Sequence, residues 1–155
     1  MVMPFSVIIQ RRPISSNRSP HKNYTADLQA HAQQQFREQP LLSGDLYARI
    51  IWFYNGQARR TEADVDNIAK WILDALKGVV YHDDRQVVKC VIEKVDKTGV
   101  YRLSHSTLAS SSFGELAALL GNLYVPHILS IEIDQLHSRL ITFGPIDGEN
   151  HEGSC

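Results

Sequence analysis

Between Val65 and Leu76, the apolar residues Val65, Ile68, Ala69, Ile72, Leu73 and Leu76 recur at i, i+3, i+4, i+7, i+8 and i+11. That period is helical, and a continuous stripe of this kind has to be buried against a sheet. Gly78 stops the helix. On its N-terminal side "DLYARIIWFYN" is β-branched and aromatic with apolar residues on both faces, which predicts a central strand. On its C-terminal side "QVVKCVIEKV" sets Val88, Cys90 and Ile92 on one face of a further long strand.

The remaining elements follow by the same rules. "PFSVIIQ" alternates Phe5, Val7 and Ile9 against Ser6 and Gln10, predicting a first strand. Thr25 caps a helix from Ala26 to about Gln39, with Leu28, Ala32 and Phe36 at four-residue spacing and Pro40 closing it. A serine-rich linker precedes a short amphipathic helix from Phe113 to Tyr124 carrying Leu116, Leu119, Leu120 and Leu123. "HILSIEID" then alternates Leu129, Ile131 and Ile133 as the last strand. The order is β-α-β-α-β-(α)-β, an α+β fold in one domain with a mixed sheet of about four strands and two main helices packed on it. From Gly144 the tail lacks apolar periodicity and is expected to be disordered.

Composition narrows the setting. There is no apolar run near the length of a membrane span, and the basic residues of "MVMPFSVIIQRR" follow its apolar run, the wrong order for a secretory signal. Two cysteines make no disulfide framework and read as reduced thiols, so a cytoplasmic location is expected. The net charge of −1 conceals an asymmetry: residues 1–60 hold eight Arg/Lys against three acids (+5), and residues 61–155 eight against fourteen (−6). A basic half suits phosphates, while an acidic half suits a divalent cation.

Five aspartates bracket the helix: Asp64, Asp66, Asp74, Asp83 and Asp84. Each has an ordinary structural account. Asp64 can cap, Asp66 suits the positive end of the helix dipole, Asp66 and Lys70 form a favourable i,i+4 pair, and "HDDRQ" makes a polar turn. Together they suit a hard cation such as Mg²⁺, which takes carboxylate, water and phosphate oxygens. Two such ions activate a water and stabilise the leaving oxygen of a phosphodiester. Lys70, one turn beyond Asp66, is placed to neutralise charge on a transferring phosphate.

The blocks "DVDNIAK" (Asp64 to Lys70), "DAL" (Asp74 to Leu76) and "DDRQV" (Asp83 to Val87) resemble, in order and spacing, the RusA family of Holliday junction resolvases. A weaker likeness extends to "PISSNR" and "LSIEI". The resemblance implies a RusA-like domain over residues 1–143 and a dimeric, Mg²⁺-dependent endonuclease, with Mn²⁺ as a substitute, that resolves four-way DNA junctions by paired symmetric nicks. It implies Asp64, Asp66 and Asp84 as the metal-binding catalytic acids, Asp83 as an accessory ligand, and Lys70 as the lysine beside the scissile phosphate. Asn67 and Asp74 match the motif and read as supporting groups. A bacterial, phage or prophage setting is implied in the same way. The sequence departs from the family pattern at Thr61, Glu62 and Ala63, which separate Arg59 and Arg60 from the first aspartate, and in an apparent insertion over residues 104–125, expected first to cover the core.

The best DNA contacts are Arg11, Arg12, Asn17, Arg18 and Lys22, in an acid-free loop able to follow phosphates, with Arg59 and Arg60 in a second basic turn. Trp52 and Trp71 read as core residues rather than stacking platforms. The histidines lack zinc-ligand spacing. Two other functions fit the same residues: a nuclease for flaps or other branched DNA, and a non-catalytic junction-binding protein in which the acids merely shape the helix.

Overall fold

The computed structural model describes residues 3–13, 21–56, 65–103, 110–139, 141, 143 and 144, with 21–23, 65–66 and 110–112 described by their backbone. Its elements are β1 (Phe5–Ile9), α1 (His21–Gln35), β2 (Leu46–Tyr54), α2 (Val65–Leu76), β3 (Val87–Asp96), α3 (Ser110–Leu120) and β4 (His127–Gln135). The four strands form one sheet in the order β1-β4-β2-β3. β4 runs antiparallel to both β1 and β2, whereas β2 and β3 are parallel. Parallel neighbours need a crossover that carries the chain back along the strands, and α2 is that crossover. The mixed α+β architecture therefore matches the order of elements read from the sequence.

The two faces of the sheet have different covers. On one, Leu46, Ala48, Ile50 and Trp52 of β2 join Leu129, Ile131 and Ile133 of β4 and Phe5, Val7 and Ile9 of β1 under α1 and α2. Helix α2 contributes Ile68, Ile72, Ala75 and Leu76, all fully buried, and Trp71. Ala69 and Leu73 are only half-buried, so the buried stripe is centred slightly to one side of the predicted one. Trp71 meets Tyr24 of α1 edge-on at 4.4 Å between ring centroids, which fixes the two helices side by side. On the opposite face, Phe53 and Ile128 lie under Leu116, Leu119 and Leu120 of α3 and under Val125. The segment expected to be an insertion thus packs against the core.

Several boundaries and roles differ from expectation. Helix α1 begins at His21 and ends at Gln35, with Glu38 at φ 70° in the turn that follows. Thr25 lies inside it rather than at its cap. The predicted stripe nonetheless holds, with Leu28, Ala32 and Phe36 buried. Helix α3 ends at Leu120, before Gly121, so Leu123 falls in the turn beyond it and is 82% exposed. Strand β3 lies at the sheet edge, where Cys90 is exposed and Val88 is 42% exposed; an edge strand has a neighbour on one side only. The predicted disordered tail from Gly144 lies, beyond that glycine, outside the described residues.

Candidate active site

The best-defined part of the site is the turn between α2 and β3. Gly78 follows the helix at φ +77°, a left-handed conformation that a side chain would strain. The chain then returns through Tyr81, whose fully buried ring sends its hydroxyl to the Leu73 carbonyl at 2.5 Å. Burial, followed by the negative fields of Asp84 and Asp74, pushes the Tyr81 hydroxyl well above the usual phenol range, so it stays protonated and donates. Those two carboxylates therefore share the neighbourhood of Tyr81, at the C-terminal end of α2.

Asp83 caps a short 3-10 helix at Asp84–Gln86. Its carboxylate accepts from the Arg85 backbone N–H at 3.0 Å, and that bond holds its pKa below the usual carboxylate value. One oxygen of Asp83 is thereby committed to the backbone. Asp84 is about half-exposed, and its carboxylate lies 3.3 Å from Lys77 Nζ. His82 is exposed, and its backbone N–H is used in the turn.

Gln86 is the residue that sequence reasoning passed over. Its Oε1 accepts from the backbone N–H groups of His82, at 2.9 Å, and Asp83, at 3.0 Å. Its Nε2 donates to the Leu42 carbonyl at 3.0 Å and the Gly44 carbonyl at 3.3 Å. One amide thus ties the Asp83–Asp84 turn to the segment entering β2. Its position in the "DDRQV" block is a signal that could have found it. Gln86→Ala is expected to lower stability by about 1–3 kcal/mol through loss of this clamp. It should also lower nuclease turnover about tenfold while leaving DNA affinity near wild type, as read by chemical denaturation, single-turnover cleavage and binding isotherms.

Of the other predicted acids, Asp64 is outside the described residues, and Asp66 stands in the first turn of α2. Lys70 is exposed one turn further along. Asp66 precedes Lys77, the ion-pair partner of Asp84, by eleven residues, an axial rise of about 16 Å. The topology explains this separation. In a β2-α2-β3 crossover the helix runs opposite to both strands, so α2 begins near the end of β2, whereas β3 begins beside the end of α2. Carboxylates sharing one small cation need oxygens within about 4 Å of each other. Among the described residues, no three His, Cys, Asp or Glu side chains gather closely enough to hold a metal ion.

Of the predicted DNA contacts, Asn17, Arg18, Arg59 and Arg60 lie outside the described residues. Lys22 belongs to the first turn of α1 rather than to an irregular loop. Arg11 forms an ion pair with Asp27 and lies over the Tyr24 ring at 5.9 Å, so it anchors the β1–α1 segment to the fold. Arg12 is exposed. Both tryptophans are core residues, Trp52 at 1% exposure.

An endonuclease family model, described as Endodeoxyribonuclease RusA, matches residues 10–102. The chain belongs to the RusA endodeoxyribonuclease family. The match spans the two basic segments, α2 and the Asp83–Asp84 turn, and ends just before the serine-rich segment that leads to α3. Membership makes the chain a DNA endonuclease. No curated protein matches the chain. No helix among the described residues is long and apolar enough to cross a membrane.

Proposed function

We propose that the protein resolves four-way DNA junctions by paired, symmetric nicks as a Mg²⁺-dependent homodimer, with each active site assembled from two chains. The observation that carries this reading is the separation of Asp66 from Asp84 along α2. One chain holds Asp66 in the first turn of a twelve-residue helix and Asp84 beside Lys77, just past the other end of that helix. Two chains related by a two-fold axis match the Asp66 end of one to the Asp84 end of the other, twice over. Two like sites are also what two like cuts in a symmetric junction require.

The donor set fits a hard divalent cation: Asp64 and Asp66 from one chain and Asp84 from the other, with Asp83 on the same turn. Half-exposed Asp84 is accessible to a cation without unfolding the turn. The cation, when bound, supplies the charge that makes a water nucleophilic and offsets the developing charge on the leaving oxygen. The protein's own residues do the rest. Gln86 ties the Asp84 turn to the segment entering β2, Tyr81 ties it to α2, and Lys70, exposed on that helix, counters the negative charge of the transferring phosphate. Arg12, with the basic segments around residues 14–22 and 57–60, supplies cations that register the DNA backbone without reading its sequence.

The test is a labelled four-way junction incubated with the full chain in Mg²⁺, in Mn²⁺ and in chelator. Paired nicks at symmetric positions are expected in both metals, with chelator removing them. Faster cutting of a flap than of the four-way junction, or undiminished cutting in chelator, would overturn the reading.

A further inference from the structure

Among the described residues, the sheet has one long open edge. β3 has ten residues and bonds to β2 along one side, and among the described residues no strand pairs with its other side. A strand of that length with exposed apolar side chains is a template for another strand. Val88 is 42% exposed, Cys90 is exposed, and Val91 and Ile92 are half-buried. The other edge, β1, has five residues.

We propose that two copies of this chain join through the outer edges of β3, antiparallel, with the two-fold axis at Val91, into one continuous eight-stranded sheet. This rests on the dimeric reading above and assigns its interface. A two-fold axis perpendicular to a sheet opposes residues on the same face. With the axis at Val91, Lys89 stands opposite the partner's Glu93, and Glu93 opposite the partner's Lys89. Cys90 then faces the partner's Ile92, and the regular pairing runs from Lys89 to Glu93, since the register of β3 shifts at Val88. Both charged residues are exposed in the single chain. Cross-strand pairs of opposite charge favour a register, whereas like charges oppose it. Moving the axis to Cys90 or Ile92 leaves neither Lys89 nor Glu93 opposite its complement, and moving it to Glu93 sets that carboxylate against its own copy.

The same axis joins the two halves of the active site. β3 starts just after Asp84 and ends at Asp96, which stands beside Tyr54 at the far end of β2. From that end the chain passes to the start of α2. Antiparallel pairing therefore brings Asp84 of one chain to the end of the sheet where the other chain's α2 begins with Asp66. Because the axis is perpendicular to the sheet, both α2 helices remain on one face, where the two sites form.

Sedimentation equilibrium of the full chain, with junction cleavage alongside, tests the interface. Glu93→Lys sets like charges at both ends of the pairing and is expected to weaken dimerisation at least about tenfold, with paired nicking falling in parallel. Lys89→Glu alone should do the same. The double exchange, Lys89→Glu with Glu93→Lys, rebuilds both pairs in reversed sense and should return dimerisation and nicking to within about threefold of wild type. Because either single variant can be read against the double, a folding defect in one still leaves the exchange decisive. Dimerisation unchanged in both single variants, or no rescue in the double, would place the interface elsewhere while leaving the dimeric enzyme standing. A wild-type chain that is monomeric while nicking junctions would instead overturn the dimeric reading itself.

Discussion

Asp66→Asn is expected to lower the rate of junction cleavage on the order of 10²-fold or more, and Asp84→Asn to do the same, with DNA binding retained by both. Either substitution replaces a charged oxygen ligand with a neutral amide of nearly equal size. Fold and phosphate contacts should therefore survive while cation affinity and transition-state stabilisation do not. The more telling measurement mixes the two dead proteins. If each site takes Asp66 from one chain and Asp84 from the other, a mixed dimer has one site lacking both carboxylates and one site with both intact. Random exchange makes about half of the dimers mixed, so about a quarter of wild-type site activity should return. The product should change as well, from paired cuts to single nicks, because only one site per dimer works. Sites contained within single chains would give no recovery on mixing, since every site would then lack one acid or the other. Single-turnover cleavage of a doubly labelled junction after subunit exchange separates these outcomes.

Trp52→Ala is expected to cost about 3–5 kcal/mol, a large share of the roughly 5–15 kcal/mol that holds a domain folded. Trp52 is the largest fully buried side chain, and it lies on the central strand β2. Its ring meets Tyr54 at 5.5 Å between centroids, and Lys94 Nζ of β3 lies 5.6 Å from its centre. Its indole N–H donates to His127 Nδ1 of β4 at 3.3 Å, so one side chain ties together three strands. Alanine would leave a cavity at this junction and remove the donor. Thermal unfolding by circular dichroism should show a drop in Tm of about 10 °C or more. A drop of a few degrees would mean that Trp52 is not the keystone its contacts imply.

The stripe on α2 was legible because helical periodicity needs no knowledge of neighbours: Ile68, Ile72 and Leu76 are fully buried as read. Strand β2 was legible as central because it carries apolar residues on both faces, and the structure covers it with α1 and α2 on one face and α3 on the other. The three motif blocks carried the family, which the family model match bears out. The role of Gln86 was not legible. Its partners Leu42 and Gly44 lie more than forty residues away in sequence, and only folding brings their carbonyls to it. The anchoring of Arg11 on Asp27 was hidden for the same reason: a basic residue in a loop looks alike whether it meets an acid or a phosphate.

What the sequence determined by itself was therefore local and chemical. It set which segments are helix or strand, which faces are apolar, and which residue types can serve a cation and a phosphate. Tertiary structure alone decided where those residues stand relative to one another. Asp64, Asp66 and Asp84 read in the sequence as acids that together suit one cation site. The parallel pairing of β2 with β3 makes α2 run back along the sheet, so it carries Asp66 and Asp84 to opposite ends. That direction is set by hydrogen bonding between strands, which a residue's own side chain does not encode.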